Sequence, residues 1–285
     1  MIIEYIKAVI YGIVEGITEW LPVSSTGHLI LLEQFLKFDS AILGAELAEQ
    51  FSAMFDVVVQ LGAIFAVLAV YFKRLFPFGK NKRQTWSLWG KLTLATLPAA
   101  IIGLLADKMC ERYSGVSLDT LLFNPSVVAS ALIVYGILFI LVEKLAPKNE
   151  LQEREISCRS ALAIGFFQAL AIIPGTSRSG ATILGARILG IPRKSAAEFS
   201  FFAAIPVIAA ASLLKIVDFG SYCAESSTKI PAQALIILCI AGAVAFLVSL
   251  ATLKFLTDFV KKHSFIPFGI YRIILGIFVL IFFKH

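Results

Sequence analysis

Long apolar stretches separated by short polar segments run through the sequence from end to end. A helix that crosses the hydrocarbon core of a bilayer needs about 20 mostly apolar residues. Six stretches approach or reach this length with little internal charge, and each predicts a membrane-spanning helix. The predicted spans are Ala53–Phe72, Leu88–Ala106, Val127–Val142 with its flanks, Ala196–Val217, Ala232–Leu253 and Phe265–Phe283.

Two further apolar regions, Tyr5–Leu36 and Ser160–Leu189, are each interrupted by a short polar run. Both interruptions combine a proline, a glycine and several small hydroxyl residues. Proline removes a backbone donor, glycine permits a tight turn, and a small hydroxyl caps a new helix start. Each region is therefore predicted to form two half-helices joined by a polar elbow. The first elbow is Pro22-Val23-Ser24-Ser25-Thr26-Gly27-His28, and the second is Pro174-Gly175-Thr176-Ser177-Arg178-Ser179-Gly180.

Composition places the chain in a membrane. Of its 285 residues, 59% are hydrophobic and only 15% are charged, whereas soluble domains carry about 25% charged residues. This excludes a typical cytosolic enzyme, a disordered chain and a free nucleic-acid-binding module. The net charge of +6 is assigned to connectors on the cytoplasmic side, where membrane proteins concentrate Lys and Arg. We therefore predict no nucleic-acid partner.

The distribution of basic residues also predicts how the broken regions lie. The connector from Lys73 to Lys91 is the most basic, so it is placed in the cytoplasm. Counting spans from there puts the start of Ser160–Leu189 on the cytoplasmic side, and Arg193 and Lys194 place its end there too. A region with both ends on one side is predicted to be a re-entrant hairpin.

The same counting predicts an inverted-topology repeat in an all-α polytopic membrane protein. The whole chain, 1–285, is predicted to be one integral membrane domain made of a first repeat, 1–142, and a second, 160–285. Each repeat would hold one broken re-entrant hairpin and three transmembrane helices, and because three is odd the second would be upside down. Inverted repeats bind ligands where their broken helices meet. Matching runs precede the two elbows, Gly12-x-x-Glu15 and Gly165-x-x-Gln168.

Ionisable residues at membrane depth are costly and are functional candidates by default. Glu15 and Glu19 are four apart and so share one helix face, where they need a proton, a metal ion or a cation between them. Ser25 and His28 are three apart at a helix start, which could bring a hydroxyl and an imidazole together. Arg178 offers a planar set of donors suited to phosphoryl oxygens, although it could instead simply pair with Glu19.

Other polar residues complete the set of candidates. Hydroxyls and glycines at two half-helix N-termini suit an anion such as a phosphate. The predicted phosphate-binding residues are Ser24, Thr26, Gly27, Ser177, Ser179 and Thr182, and the secondary candidates are Asp56 and Gln60. Arg272, near the end of a predicted span, is expected to extend its charge to the membrane surface.

These residues together predict phosphate chemistry. The carboxylates of Glu15 and Glu19 could hold a divalent cation, Mg²⁺ or Ca²⁺, or one of them could act as a general base. A serine nucleophile such as Ser25 needs a base nearby. Alternatively, a water molecule attacks directly, with His28 as its base and Ser25 as a ligand only.

Both elbows resemble motifs of a known family. The run from Glu15 to His28 (EGITEWLPVSSTGH) and the run from Pro174 to Thr182 (PGTSRSGAT) are similar to those of bacterial undecaprenyl-diphosphate phosphatases, the bacitracin-resistance family. The resemblance implies a multi-pass enzyme of the bacterial inner membrane that hydrolyses undecaprenyl diphosphate to undecaprenyl phosphate and inorganic phosphate. It also implies a divalent cation, lowered bacitracin sensitivity, recycling of the carrier for peptidoglycan, and an active site on the external, periplasmic side.

Carried over by matching position, the family's functional residues are Glu15, Glu19, Ser25, His28 and Arg178, with Ser24, Ser177 and Thr182 as supports. The predicted partners are the polyprenyl diphosphate substrate and membrane lipids, and a homodimer stays open. A rival interpretation is a lipid flippase or secondary transporter, because inverted repeats with broken helices are typical of transporters. The combination of hydroxyl, histidine, arginine and acid favours the enzyme.

Overall fold

The computed structural model describes residues 2–39, 45–77, 81–122, 124–146, 155–226 and 228–283. Every regular element within these ranges is helical. The α-helices are α1 (Ile2–Thr18), α2 (Ser25–Phe35), α3 (Ala45–Val58), α4 (Gln60–Val70), α5 (Phe72–Leu75), α6 (Lys82–Ser114), α7 (Leu118–Leu122), α8 (Pro125–Leu145), α9 (Cys158–Ala169), α10 (Arg178–Ile188), α11 (Arg193–Glu225), α12 (Ala232–Lys262) and α13 (Ile266–Phe282).

Five helical stretches of the described residues are long and apolar enough to cross a membrane. They contain or overlap five of the six predicted spans, which confirms an all-α polytopic membrane protein. These stretches are Gln50–Val70, Lys82–Ser114, Pro125–Leu145, Arg193–Glu225 and Ala232–Lys262. The sixth prediction corresponds to α13, which has only 17 residues. At 1.5 Å per residue it is about 25 Å long, less than the roughly 30 Å of hydrocarbon.

Both predicted interruptions are present. In the first region α1 ends at Thr18 and α2 begins at Ser25. In the second, α9 continues into a 3₁₀ turn, Leu170–Ile172, before α10 begins at Arg178. The two half-helix pairs are therefore built alike, each with a long approach helix, an irregular elbow and an 11-residue helix beyond it.

One serine in each elbow makes the turn and starts the next helix. Ser24 has a positive φ of 76° and Ser177 one of 69°, a conformation that non-glycine residues adopt rarely. The Ser24 hydroxyl accepts from the N–H of Gly27 at 3.3 Å, and the Ser177 hydroxyl accepts from that of Gly180 at 3.1 Å. These N-caps satisfy backbone donors that the half-helices would otherwise leave unpaired.

The approach helix α1 packs most closely against α12. A Cβ added to Gly12 would lie 2.5 Å from the carbonyl oxygen of Ala241, and one added to Gly16 would lie 2.8 Å from that of Ala245. Backbones this close need glycine, which is how helices associate tightly in membranes. Glu15 lies between these two glycines, and Glu19 comes just after the end of α1. The close packing of α1 against α12 therefore fixes the position of both carboxylates.

The inverted repeat, with its boundaries at 142 and 160, stays a prediction. So does the assignment of the basic connectors to the cytoplasm. Lys80 and the basic residues predicted for the connector at 147–154 lie outside the described residues.

Candidate active site

The two elbows meet inside the helical bundle. The Ser179 hydroxyl of the second elbow donates to the carbonyl of Leu21, next to the first elbow, at 3.3 Å. Arg272 of α13 joins the elbows from the side, with Nη1 donating to the Pro22 carbonyl at 3.2 Å and Nη2 to the Gly175 carbonyl at 2.7 Å. One guanidinium therefore holds both turns.

The prediction that Arg272 extends to the membrane surface is wrong. Its side chain is fully buried, and its Nη2 also donates to the Thr176 carbonyl at 2.9 Å. The guanidinium lies over the ring of Tyr135, 5.6 Å from the centroid. Elbow carbonyls that no helix can satisfy provide the acceptors, so the charge stays inside rather than at the interface.

The Glu19 carboxylate lies at the centre of the site. Its Oε2 accepts from the Ser25 hydroxyl at 2.9 Å. Its Oε1 accepts from Arg178, from Nη2 at 2.9 Å and from Nε at 3.3 Å. One carboxylate thus joins the hydroxyl of the first elbow to the guanidinium of the second, and the pairing of Arg178 with Glu19 that the sequence left open is present.

Arg178 is also held from the far side. Its Nη1 donates to the Ser200 carbonyl at 2.8 Å, in the second turn of α11. The Thr182 hydroxyl donates to the Ser200 hydroxyl at 2.7 Å and so ties α10 to the same point. Guanidinium groups fixed by several acceptors keep their planar donor set in one orientation.

Glu15 is the unusual group of the site. It is fully buried beside Glu19. Within the described part of the chain no N–H or O–H group donates to either of its carboxyl oxygens, and the Glu19 carboxyl lies within hydrogen-bonding reach of it. Buried carboxylates without donors are costly, so these two oxygens are suited to a cation.

Glu15 and Glu19 are the candidate ligands of a divalent cation. Among the described residues no group of three or more His, Cys, Asp or Glu side chains could hold a metal ion. Mg²⁺ is commonly bound by one or two carboxylates together with the phosphate oxygens of a substrate. Glu15 and Glu19 fit that pattern, in which the substrate completes the coordination.

The imidazole of His28 does not face Ser25. Its Nδ1 is 2.7 Å from the carbonyl oxygen of Ser24, and its Nε2 is 2.8 Å from the hydroxyl of Tyr271. A carbonyl only accepts, so Nδ1 carries a proton and donates to Ser24. The two rings are also stacked, with 1° between their planes.

The remaining candidates fall into two groups. Gly27 and Thr26 belong to the first turn of α2, and Ser177 and Ser179 approach each other at 3.1 Å in the second elbow. Gln60 is on α4, where its side-chain amide donates to the backbone carbonyl of Asp56 at 3.1 Å, and the charge of Asp56 acts on Glu15. The carboxyl of Asp56 in turn lies beside that of Glu33.

Sequence reasoning did not identify Tyr271 or Ser200 as parts of the site. Each is distant in sequence from the elbows, by 243 residues from His28 and by 22 from Arg178 respectively. Tyr271 precedes an arginine in an apolar helix, and Ser200 contributes a carbonyl that any residue would offer. Neither position carries a local signal of its role.

Comparison with known sequences identifies the family. A sequence model described as "Bacitracin resistance protein BacA" matches residues 8–278. The chain belongs to the BacA family. A relative from Streptococcus mutans is 50% identical over 285 residues, covering 97% of this chain and 95% of its own, and one from Acetivibrio thermocellus is 49% identical over 290 residues, covering 99% and 98%. Both relatives are named undecaprenyl-diphosphatase.

Proposed function

We propose that this chain hydrolyses undecaprenyl diphosphate to undecaprenyl phosphate and inorganic phosphate at the two joined elbows. The family and the names of the relatives support the reaction. The structural observation that carries the proposal is the Glu19 carboxylate. One of its oxygens accepts a hydrogen bond from the Ser25 hydroxyl, and the other accepts one from the Arg178 guanidinium. A base, a nucleophile and a cation for phosphoryl oxygens thus lie in direct contact.

In the first step the Ser25 oxygen attacks the terminal phosphorus of the diphosphate. Its proton passes to Glu19 Oε2, which already accepts that hydrogen bond at 2.9 Å. The bond from the terminal phosphorus to the bridging oxygen breaks, and undecaprenyl phosphate leaves. Water then attacks the phosphorus of the phosphoserine and the bond from this phosphorus to the Ser25 oxygen breaks. Glu19 returns its proton to Ser25, and phosphate departs with both hydrogens of the water.

Arg178 and the half-helix N-termini stabilise the transferring phosphoryl group. Negative charge spreads over its three equatorial oxygens in the transition state, and fixed donors aimed there lower the barrier. The Ser200 carbonyl holds Arg178 in place from behind. The backbone N–H groups at the starts of α2 and α10 add positive dipole ends.

Glu15 and Glu19 are proposed to hold a divalent cation, Mg²⁺ or Ca²⁺. When bound, the cation would neutralise charge on the diphosphate. Glu15 contributes two buried oxygens that lack hydrogen-bond donors within the described residues. His28, held by Ser24 and Tyr271, is proposed to position the start of α2 around the phosphate rather than to deprotonate Ser25.

The chain is an integral membrane protein, and we propose that it lies in the bacterial inner membrane with the elbows open to the external side. Support comes from the basic connectors, which positive-inside bias assigns to the cytoplasm. The activity returns the lipid carrier for peptidoglycan synthesis and lowers sensitivity to bacitracin. Hydrolysis is favoured over a flippase or transporter because the relatives are named as phosphatases.

Phosphate release by the purified full chain in detergent tests the reaction. With undecaprenyl diphosphate and Mg²⁺ we expect steady release that falls by about 100-fold or more in Ser25→Ala and Glu19→Gln. Ser226→Ala, at an exposed serine outside the elbows, serves as the control and should match the unaltered chain. No release, together with transport of the lipid across vesicle membranes, would contradict the proposal and favour the carrier.

The identity of the nucleophile has its own test. Rapid acid quenching during turnover of terminally ³²P-labelled substrate should trap the label on Ser25. Label on His28, or turnover in Ser25→Ala close to that of the unaltered chain, would replace the serine mechanism with another nucleophile or with direct attack by water.

A further inference from the structure

A polar cavity lies beside the start of α11 and is lined by residues other than those of the elbows. Its volume is about 580 Å³, within the range of small-molecule sites. It opens between the α5 region, the first turns of α6 and the start of α11. No residue of the two elbows lines it.

Aromatic side chains separate this cavity from the elbows. Trp20, next to the first elbow, meets Phe201 edge-on at 5.5 Å between ring centroids. Phe201 lies 6.4 Å from Tyr71, and Tyr71 lies 5.0 Å from Phe202, which lines the cavity. The cavity shares no lining residue with the elbows, and a row of aromatic contacts runs between the two.

The lining of the cavity is dominated by positive charge. Four cationic side chains face two acidic ones, Glu155 and Glu198. Arg74 is paired with Glu198, and Lys194 lies 4.0 Å from the same carboxylate. The cationic side chains are Lys73, Arg74, Lys91 and Lys194.

Among the described residues, two of these cations lack an ion-pair partner. Within the described residues Lys73 and Lys91 have no acidic partner. Lysine ammonium groups gathered around a cavity attract an anion, and phosphate is a frequent ligand of lysine. Below them the wall is apolar, formed by Leu88, Phe199 and Phe202.

We propose that this cavity binds a phosphate monoester dianion, with Lys73, Lys91 and Lys194 as its main ligands. The group could arrive as the head of a prenyl phosphate or as inorganic phosphate. The apolar wall would take the first carbons of a prenyl chain, and the Arg74–Glu198 pair would hold the mouth of the cavity in shape. This site is additional to the elbows and does not depend on hydrolysis there.

Binding to the full-length protein in detergent tests the site. Arg178→Ala serves as the background, because it removes the guanidinium that is proposed to bind phosphate at the elbows. Two probes are titrated separately, sodium orthophosphate and farnesyl monophosphate. Saturable binding should persist in this background and weaken about tenfold or more in Lys73→Gln/Lys91→Gln/Lys194→Gln, as expected for the loss of charged hydrogen bonds.

The matched control removes equal charge from positions that do not line the cavity, Lys82→Gln/Arg83→Gln/Lys262→Gln, and should leave binding within about twofold because none of these side chains reaches the proposed phosphate. Equal affinity for both probes would identify a site for free phosphate, and distinctly tighter binding of farnesyl monophosphate would identify a site for a lipid head group. Absence of saturable binding, unchanged binding in the cavity variant, or equal losses in the control would overturn the proposal.

Folding of the cavity variant is checked in the chain that keeps Arg178. There the three substitutions should leave the elution profile and phosphate release at the elbows unchanged. Single Lys73→Gln and Lys91→Gln variants, each expected to weaken binding severalfold, keep the test decisive if the triple variant does not fold.

Discussion

At the scale of single residues, the site depends on one carboxylate with two partners. Glu19 accepts a hydrogen bond from Ser25 at Oε2 and one from Arg178 at Oε1. A substitution at any of these three residues therefore alters the surroundings of the other two. Charge-assisted bonds of this kind are stronger than neutral ones and their geometry is more specific. Substitutions that keep charge but change shape are therefore the most informative.

Arg178→Lys should lower phosphate release by about 100-fold or more, although the positive charge is kept. Arg178 directs two N–H groups to Glu19 Oε1 and a third to the Ser200 carbonyl. An ammonium group cannot make these three contacts at once. Steady-state release in detergent measures the effect, with the exposed Arg83→Lys as the matched control. Near-normal turnover of a folded Arg178→Lys protein would contradict the role of the guanidinium.

Glu15→Gln should raise the Mg²⁺ concentration needed for half-maximal activity by about tenfold or more, because one of the two proposed carboxylate ligands is lost. Mn²⁺ binding followed by electron paramagnetic resonance gives a readout independent of turnover and should weaken in parallel. The control is the exposed Glu111→Gln on α6. Unchanged metal dependence would mean that the buried Glu15 oxygens serve something other than a cation.

At the scale of helices, glycine decides how closely the approach helix α1 can lie against α12. Gly12→Leu should destabilise the protein by about 1–3 kcal/mol, since its Cβ would meet the Ala241 carbonyl at 2.5 Å. Thermal unfolding in detergent measures this. The control, Gly90→Ala on α6, has open space around it and should be neutral or stabilising by about 0.5–1 kcal/mol. Equal midpoints for the two variants would contradict the close packing.

The helices also show what the sequence could and could not predict. Proline, glycine and hydroxyl residues mark both elbows because they act on the chain locally, and so Ser24 and Ser177 lie where a cap was expected. Five spans follow from length and apolarity alone. Tyr271, which stacks on His28, and the buried Arg272 both lie on α13. Their contacts require α13 to pack against the elbows, and no local sequence pattern predicts this packing.

At the scale of the whole molecule, Arg272 holds the two elbows together. Arg272→Met should lower both the thermal midpoint and the activity, because three buried carbonyls lose their donor at about 1–3 kcal/mol each. Lys254→Met, at an exposed position on α12, is the control for loss of a charge. Retained activity and stability in Arg272→Met would show that the elbows meet without this residue.

The pairing of Glu19 with Arg178 also has a consequence for how the protein is made. The two residues are 159 positions apart, and a ribosome adds roughly 5–20 residues per second. Glu19 is therefore synthesised roughly 10–30 s before Arg178. During this interval Glu19 lacks the Arg178 guanidinium, so the pairing of the two residues forms only after the second elbow is translated. A chain truncated before the second elbow therefore lacks the contacts that this elbow makes with Glu19 and Leu21.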